Sequence, residues 1–127
     1  MRYLALLAVL GLVACVEEPI DGRTAYLENC ASCHGADGKG DGPLARGLAV
    51  APPDLTTIAA RNGGVFPTDQ VMSTIDGLDR GTHFSAAMPE FGAGDMGETV
   101  IVEQDGLGTP VPMQLLLLAD YLQSIQQ

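Results

Sequence analysis

Five consecutive residues, Cys30-Ala31-Ser32-Cys33-His34, constrain this chain more than any other part of its sequence. The pattern C-x-x-C-H is typical of covalent c-type haem attachment. Two thiols three positions apart can each reach one vinyl group of a haem, and the histidine that follows then lies under the iron as its proximal ligand. The motif therefore predicts one covalent haem c, a large apolar body inside a chain that is short for a self-sufficient core.

Two other interpretations of the paired cysteines fit the rest of the sequence less well. A redox-active dithiol needs a βαβ context, which the sequence pattern lacks. A tetrahedral zinc site needs two further ligands, and His83 is the only histidine besides His34. Haem attachment through Cys30 and Cys33 is therefore the favoured interpretation.

The N-terminal segment has the pattern of a signal peptide. Arg2 precedes an unbroken apolar run over residues 3–13, which is too short for a stable transmembrane helix. The segment Leu12-Val13-Ala14-Cys15 resembles the bacterial lipobox, in which cleavage precedes a cysteine that receives lipid. We expect a signal peptide at 1–14, a lipidated tether at 15–20 and one domain at 21–127. Plain secretion, a retained anchor and a short buried helix are the alternatives.

The cysteine count agrees with this division. Three cysteines are an odd number for an exported protein, and the unpaired one needs an explanation. Lipid on Cys15 and haem on Cys30 and Cys33 use all three.

The chain is acidic, with sixteen acidic and six basic residues and a net charge of −10. Nucleic acid is excluded as a partner because phosphate binding needs a basic surface. The charge favours a redox partner protein with a basic docking surface, since complementary fields raise association rates. Solubility of an exported protein explains the same charge equally well.

Apolar periodicity predicts helices at about 21–31, 55–61, 68–76 and 113–126. Asp21 is the expected N-cap of the first helix, and Thr68 or Asp69 that of the third. The glycine-rich stretch 35–47 predicts a loop, which we interpret as backbone packed closely against a cofactor. The segment Gln104-Asp105-Gly106 is a turn signal and predicts a small hairpin.

These residues resemble a class I monohaem cytochrome c. The resemblance covers most of residues 21–127 and is thinnest at 95–112, which has the look of an insertion. It implies a small all-α fold around one haem, in which the first and last helices cross near Gly22, Tyr26 and Tyr121. The matching segments, in the family's order, are Tyr26 with Cys30 to Gly35, Gly38 to Pro43, Pro53-Asp54-Leu55-Thr56, Met88-Pro89-Glu90-Phe91 and Asp120-Tyr121-Leu122.

The resemblance also implies the remaining haem contacts. His34 is then the proximal iron ligand, Met88 the distal one, and the Pro53 carbonyl the partner that fixes the histidine ring. A core methionine is the other interpretation of Met88. The alternatives are Pro52 and Pro43 for the carbonyl, and Met96 and His83 for the distal ligand. Candidates for the haem propionates are Arg46, Arg61, Thr56 and Thr57.

The expected function is single-electron transfer, without enzymatic activity, because His34 and Met88 leave the iron no open position. The expected location is the periplasmic side of a bacterial membrane, through lipid on Cys15, or else the soluble periplasm. The protein is then a monomer or a subunit of a larger redox complex. A haem sensor or small catalytic haem protein, with an open or labile sixth position, is the alternative.

Overall fold

The structure, a computed structural model, describes residues 21–80, 87–94, 96–104 and 106–127. The predicted signal peptide, the tether with Cys15, and His83 lie outside these residues. Within the described ranges, five α-helices and one two-stranded hairpin form a mostly helical small domain, as predicted, and no helix is long and apolar enough to cross a membrane. The helices are α1 (Gly22–Asn29), α2 (Ala31–His34), α3 (Ile58–Arg61), α4 (Thr68–Asp76) and α5 (Met113–Ser124), and the strands are β1 (Thr99–Gln104) and β2 (Leu107–Pro112).

Helices α1 and α5 cross at Gly22, which confirms the predicted crossing. A Cβ on Gly22 would overlap the carbonyl oxygen of Leu117, so only glycine lets the two backbones come this close. The rings of Tyr26 and Tyr121 pack beside this point with centroids 5.1 Å apart and planes tilted by 46°. The crossing fixes the end of α1 that leads into the cysteine motif.

The helix caps were predicted less well than the helices. The carboxylate of Asp21 accepts a hydrogen bond from the Thr24 N–H at 2.8 Å, so this cap is confirmed. The predicted cap of α4 is wrong, because Pro67 holds the cap position and no side chain caps the helix. Thr68 is already the first helical residue, with Asp69 behind it in the first turn.

The core lies where α1 and α4 pack against α5. The methionine Met72 is buried there, as the apolar face of α4 predicted. Leucines at a spacing of three and four residues give α5 its buried stripe. The buried apolar residues are Ala25, Tyr26, Val71, Met72, Ile75, Met96, Val111, Leu115, Leu118, Ala119 and Leu122.

Strands β1 and β2 form the predicted hairpin, paired from Thr99 with Pro112 to Gln104 with Leu107. Val111 is buried and joins the hairpin to the core. The N–H of Met113 donates to the carbonyl of Glu98 at 2.7 Å and closes the base of the hairpin beside α5.

Candidate haem site

A cavity of about 480 Å³ opens among α1, α4, α5 and the loop before α3. Its volume lies in the range of cofactor sites, roughly 300–1,000 Å³. The five residues predicted for the haem all border it, namely Cys30, Cys33, His34, Pro53 and Met88. Most of the remaining wall is apolar, with Leu48, Val50, Ala51, Leu55, Ile58, Val71, Ile75, Phe91, Leu118 and Leu122. An apolar cavity with two thiols and an imidazole at its edge fits a covalently held haem.

The two thiols are free and half-buried. Burial raises the pKa of the Cys30 thiol to about 11, and the neighbouring Cys33 adds to this shift. A reactive dithiol has the opposite property, a lowered pKa and a thiolate at neutral pH. The environment of Cys30 therefore disfavours the redox-dithiol interpretation.

His34 lies at the end of α2, where burial lowers the pKa of its imidazole and favours the neutral ring that binds iron. The Pro53 carbonyl acts in the opposite direction and raises the pKa of His34, although the buried Nδ1 atom does not meet the distance and angle limits of a hydrogen bond. A Pro53 carbonyl that lies near Nδ1, outside those limits, accounts for both observations. A buried Nδ1 that faces a carbonyl suits a histidine whose Nε2 binds a metal.

The glycine-rich loop holds the motif helix in place. The N–H of Gly40 donates to the His34 carbonyl at 2.7 Å, and that of Gly42 to the Cys33 carbonyl at 3.1 Å. A Cβ on Gly42 would overlap the Ser32 carbonyl oxygen. Gly40 and Gly42 are not among the residues that border the cavity. Gly42 packs against the backbone of the motif, and Gly40 against the carbonyl of Pro52, which does border the cavity.

Met88 is half-buried, packs against the core and borders the cavity. Met96 and Met72 are buried in the core and do not border the cavity. Of the methionines among the described residues, Met88 is thus the one placed to face a group in the cavity.

Among the four propionate candidates, Arg61 borders the cavity. Its guanidinium donates to the Asp54 carbonyl at 2.9 Å and to the Thr57 hydroxyl at 2.8 Å. Arg46 is exposed on the loop, and Thr56 is buried against Asp54, neither of them at the cavity. The structure brings Arg61 to the site, with Thr57 behind it.

Arg80, which was not predicted from the sequence, contacts the backbone of Met88. Its guanidinium donates to the carbonyl of Met88 at 2.7 Å and to that of Pro89 at 2.5 Å. No sequence pattern marks it, because a side chain that bonds two backbone carbonyls eight and nine residues away leaves no periodic signal.

The described part of the chain contains no group of three or more His, Cys, Asp or Glu side chains arranged to hold a metal ion. The paired cysteines therefore lack, within these residues, the further ligands that a tetrahedral zinc site requires.

A mostly helical domain with a C-x-x-C-H motif at an apolar cavity defines the class, a small haem c protein. The cytochrome c family profile matches residues 20–105, and the chain belongs to this family. Neither a curated protein nor a solved structure gave a significant match. Membership implies a covalent haem c, which the spacing of Cys30 and Cys33 fits, and a haem-based electron carrier. Members of the family are typically carriers without enzymatic activity.

Proposed function

We propose that this protein is a lipid-anchored single-electron carrier whose haem iron is held between His34 and Met88. The observation that carries the proposal is that one cavity is bordered by both thiols, by His34 and by Met88. When bound, the haem supplies a reversible one-electron iron couple. The apolar wall excludes water, and two protein ligands leave the iron without an open position for a substrate.

His34 and Met88 would contribute different properties as iron ligands. His34 offers a neutral imidazole, oriented by the near carbonyl of Pro53. Met88 offers a soft, uncharged thioether, which favours ferrous iron and raises the reduction potential. The protein therefore sets the potential through these ligands and through the low polarity around them.

The distal ligand is tested by replacing methionines one at a time with leucine, which nearly conserves volume but cannot bind iron. We expect Met88→Leu to lose the low-spin ferric spectrum and to lower the reduction potential, because the thioether bond is gone. Met96→Leu tests the alternative ligand, and Met72→Leu is the buried control. An unchanged spectrum and potential in Met88→Leu would contradict the assignment.

Binding of external iron ligands to the wild-type protein distinguishes an electron carrier from a haem sensor or a small catalytic haem protein. A carrier with both positions filled should bind carbon monoxide or imidazole weakly. Tight binding of either ligand at low concentration would instead favour a sensor or a small catalytic haem protein.

Covalent haem and lipid are tested together by the intact mass of the mature protein. We expect a chain that begins at Cys15 and carries lipid on that cysteine and one haem. The double variant Cys30→Ser, Cys33→Ser should keep the lipid and lack the haem, and Cys15→Ala should keep the haem and lack the lipid. A wild-type mass without acyl groups would leave a soluble periplasmic carrier, and a mass without haem would contradict the function.

The proposed partner is a redox protein with a basic docking surface, because the net charge of −10 attracts cationic surfaces. Electron exchange with a cationic redox reagent should slow as ionic strength rises, and exchange with an anionic reagent should quicken. If the two reagents respond alike, the acidic charge serves solubility rather than docking.

A further inference from the structure

The guanidinium of Arg80 forms two hydrogen bonds with the backbone at Met88 and Pro89. One terminal nitrogen donates to the Met88 carbonyl at 2.7 Å and the other to the Pro89 carbonyl at 2.5 Å. The planar fork of arginine suits two acceptors side by side, and its charge strengthens both bonds. The Nε atom of Arg80 is buried, so the guanidinium lies partly within the protein.

Arg80 connects this backbone to a fixed part of the fold. It follows α4, which packs against α5 and is capped at its C-terminus by Gly77 in a left-handed conformation. The short helical turn Phe91–Ala93, just beyond Pro89, also packs against α4. The segment from Met88 to this turn is irregular, so its position depends on such contacts and not on a helix or strand of its own.

We propose that Arg80 is a positioning residue for Met88, holding its backbone so that the thioether stays at the iron. The inference rests on the proposed ligation by His34 and Met88. A methionine side chain has three rotatable bonds and adapts easily. A fixed backbone therefore decides how readily the sulfur leaves the metal and another ligand takes its place.

The test is the affinity of the ferric protein for imidazole, a neutral ligand that competes with the thioether, measured by absorption titration. Each of the two charge-assisted hydrogen bonds stabilises the position of the Met88 backbone. Because Arg80→Gln loses both, its affinity for imidazole should rise by at least roughly tenfold. Arg80→Lys, which keeps the charge but loses the fork, should fall between this variant and wild type. Arg23→Gln, at an exposed position of α1 away from the cavity, should match wild type.

The variant Met88→Leu distinguishes two possible errors, one in the proposed iron ligation by Met88 and one in the positioning role of Arg80. If it binds imidazole no more tightly than wild type, the proposed ligation falls. If Met88→Leu gains affinity for imidazole while Arg80→Gln matches Arg23→Gln, the role of Arg80 is overturned.

Folding is followed by far-ultraviolet circular dichroism, and the affinity gain counts only in a variant that keeps the wild-type spectrum. Should Arg80→Gln not fold, Arg80→Lys decides, and an imidazole affinity equal to that of Arg23→Gln overturns the inference.

Discussion

The helical part around the cavity and the β-hairpin are held in place by different means. The cavity part is tied by hydrogen bonds between distant backbone segments, such as the Leu55 N–H to the Gly38 carbonyl at 2.7 Å. The hairpin joins the core mainly through Val111, and it leaves Ile101 66% and Leu107 72% exposed. The family profile ends at residue 105, within the hairpin turn. The candidate haem site therefore lies in the part that is tied together by hydrogen bonds between distant backbone segments.

The crossing of α1 and α5 gives the largest expected effect on stability. Gly22→Ala forces a methyl group onto the Leu117 carbonyl, and overpacking of this kind costs about 3 kcal/mol. Urea unfolding of the haem-loaded protein measures the loss. The matched control is Gly47→Ala, where a Cβ meets nothing within 4 Å, and we expect a change below about 0.5 kcal/mol. Equal effects of the two variants would contradict the close crossing.

Within the hairpin, Val111 and Ile101 should differ although both are branched apolar residues. Val111→Ala removes two buried methyl groups and should cost about 2 kcal/mol. Ile101→Ala acts on an exposed side chain and should cost about 0.5 kcal/mol. Urea unfolding checks both, and neither should shift the haem spectrum. A shift of the haem spectrum in either variant would show that the hairpin influences the cavity, and it would contradict the idea that the two parts are held in place separately.

Tyr26 tests a single buried hydrogen bond at the motif. Its hydroxyl donates to the Gly35 carbonyl at 2.7 Å, and that carbonyl also accepts from the Gly38 N–H at 3.2 Å. Because the carbonyl keeps one partner, Tyr26→Phe should cost only about 1 kcal/mol by urea unfolding. A loss similar to that of Gly22→Ala would mean that the hydroxyl organises the whole loop.

The elements were predictable where local sequence determines them. Leucine spacing predicted α5, and the turn residues before Leu107 predicted the hairpin. The contacts that tie the cavity wall together were not predictable. Gln126, for example, donates to the Leu55 carbonyl at 2.8 Å and accepts from the Ala59 N–H at 2.9 Å, across more than sixty residues. Such bonds depend on the tertiary placement of two segments, which no periodic pattern records.

The same limit applies to the candidate site. The motif gave Cys30, Cys33 and His34 directly, since the chemistry of attachment requires that spacing. Arg80 was missed because arginines on irregular segments are usually solvated, and only the fold brings this one to the Met88 backbone.

The smallest predicted effect is a pH dependence at Asp54, between two residues that border the cavity. The Asp54 carboxylate accepts from the Thr56 hydroxyl at 2.6 Å and from its N–H at 2.8 Å, and these bonds hold the pKa of Asp54 below its usual range. Because the unfolded pKa is higher, at about 3.9, the bonds contribute fully above that value. Their contribution is lost as the pH falls through the folded pKa. Asp54→Asn should therefore flatten the acid limb of the unfolding midpoint between about pH 5 and 2. Glu103→Gln, on the exposed hairpin, is the control, and equal flattening in both variants would mean that the Thr56 bonds add nothing to stability.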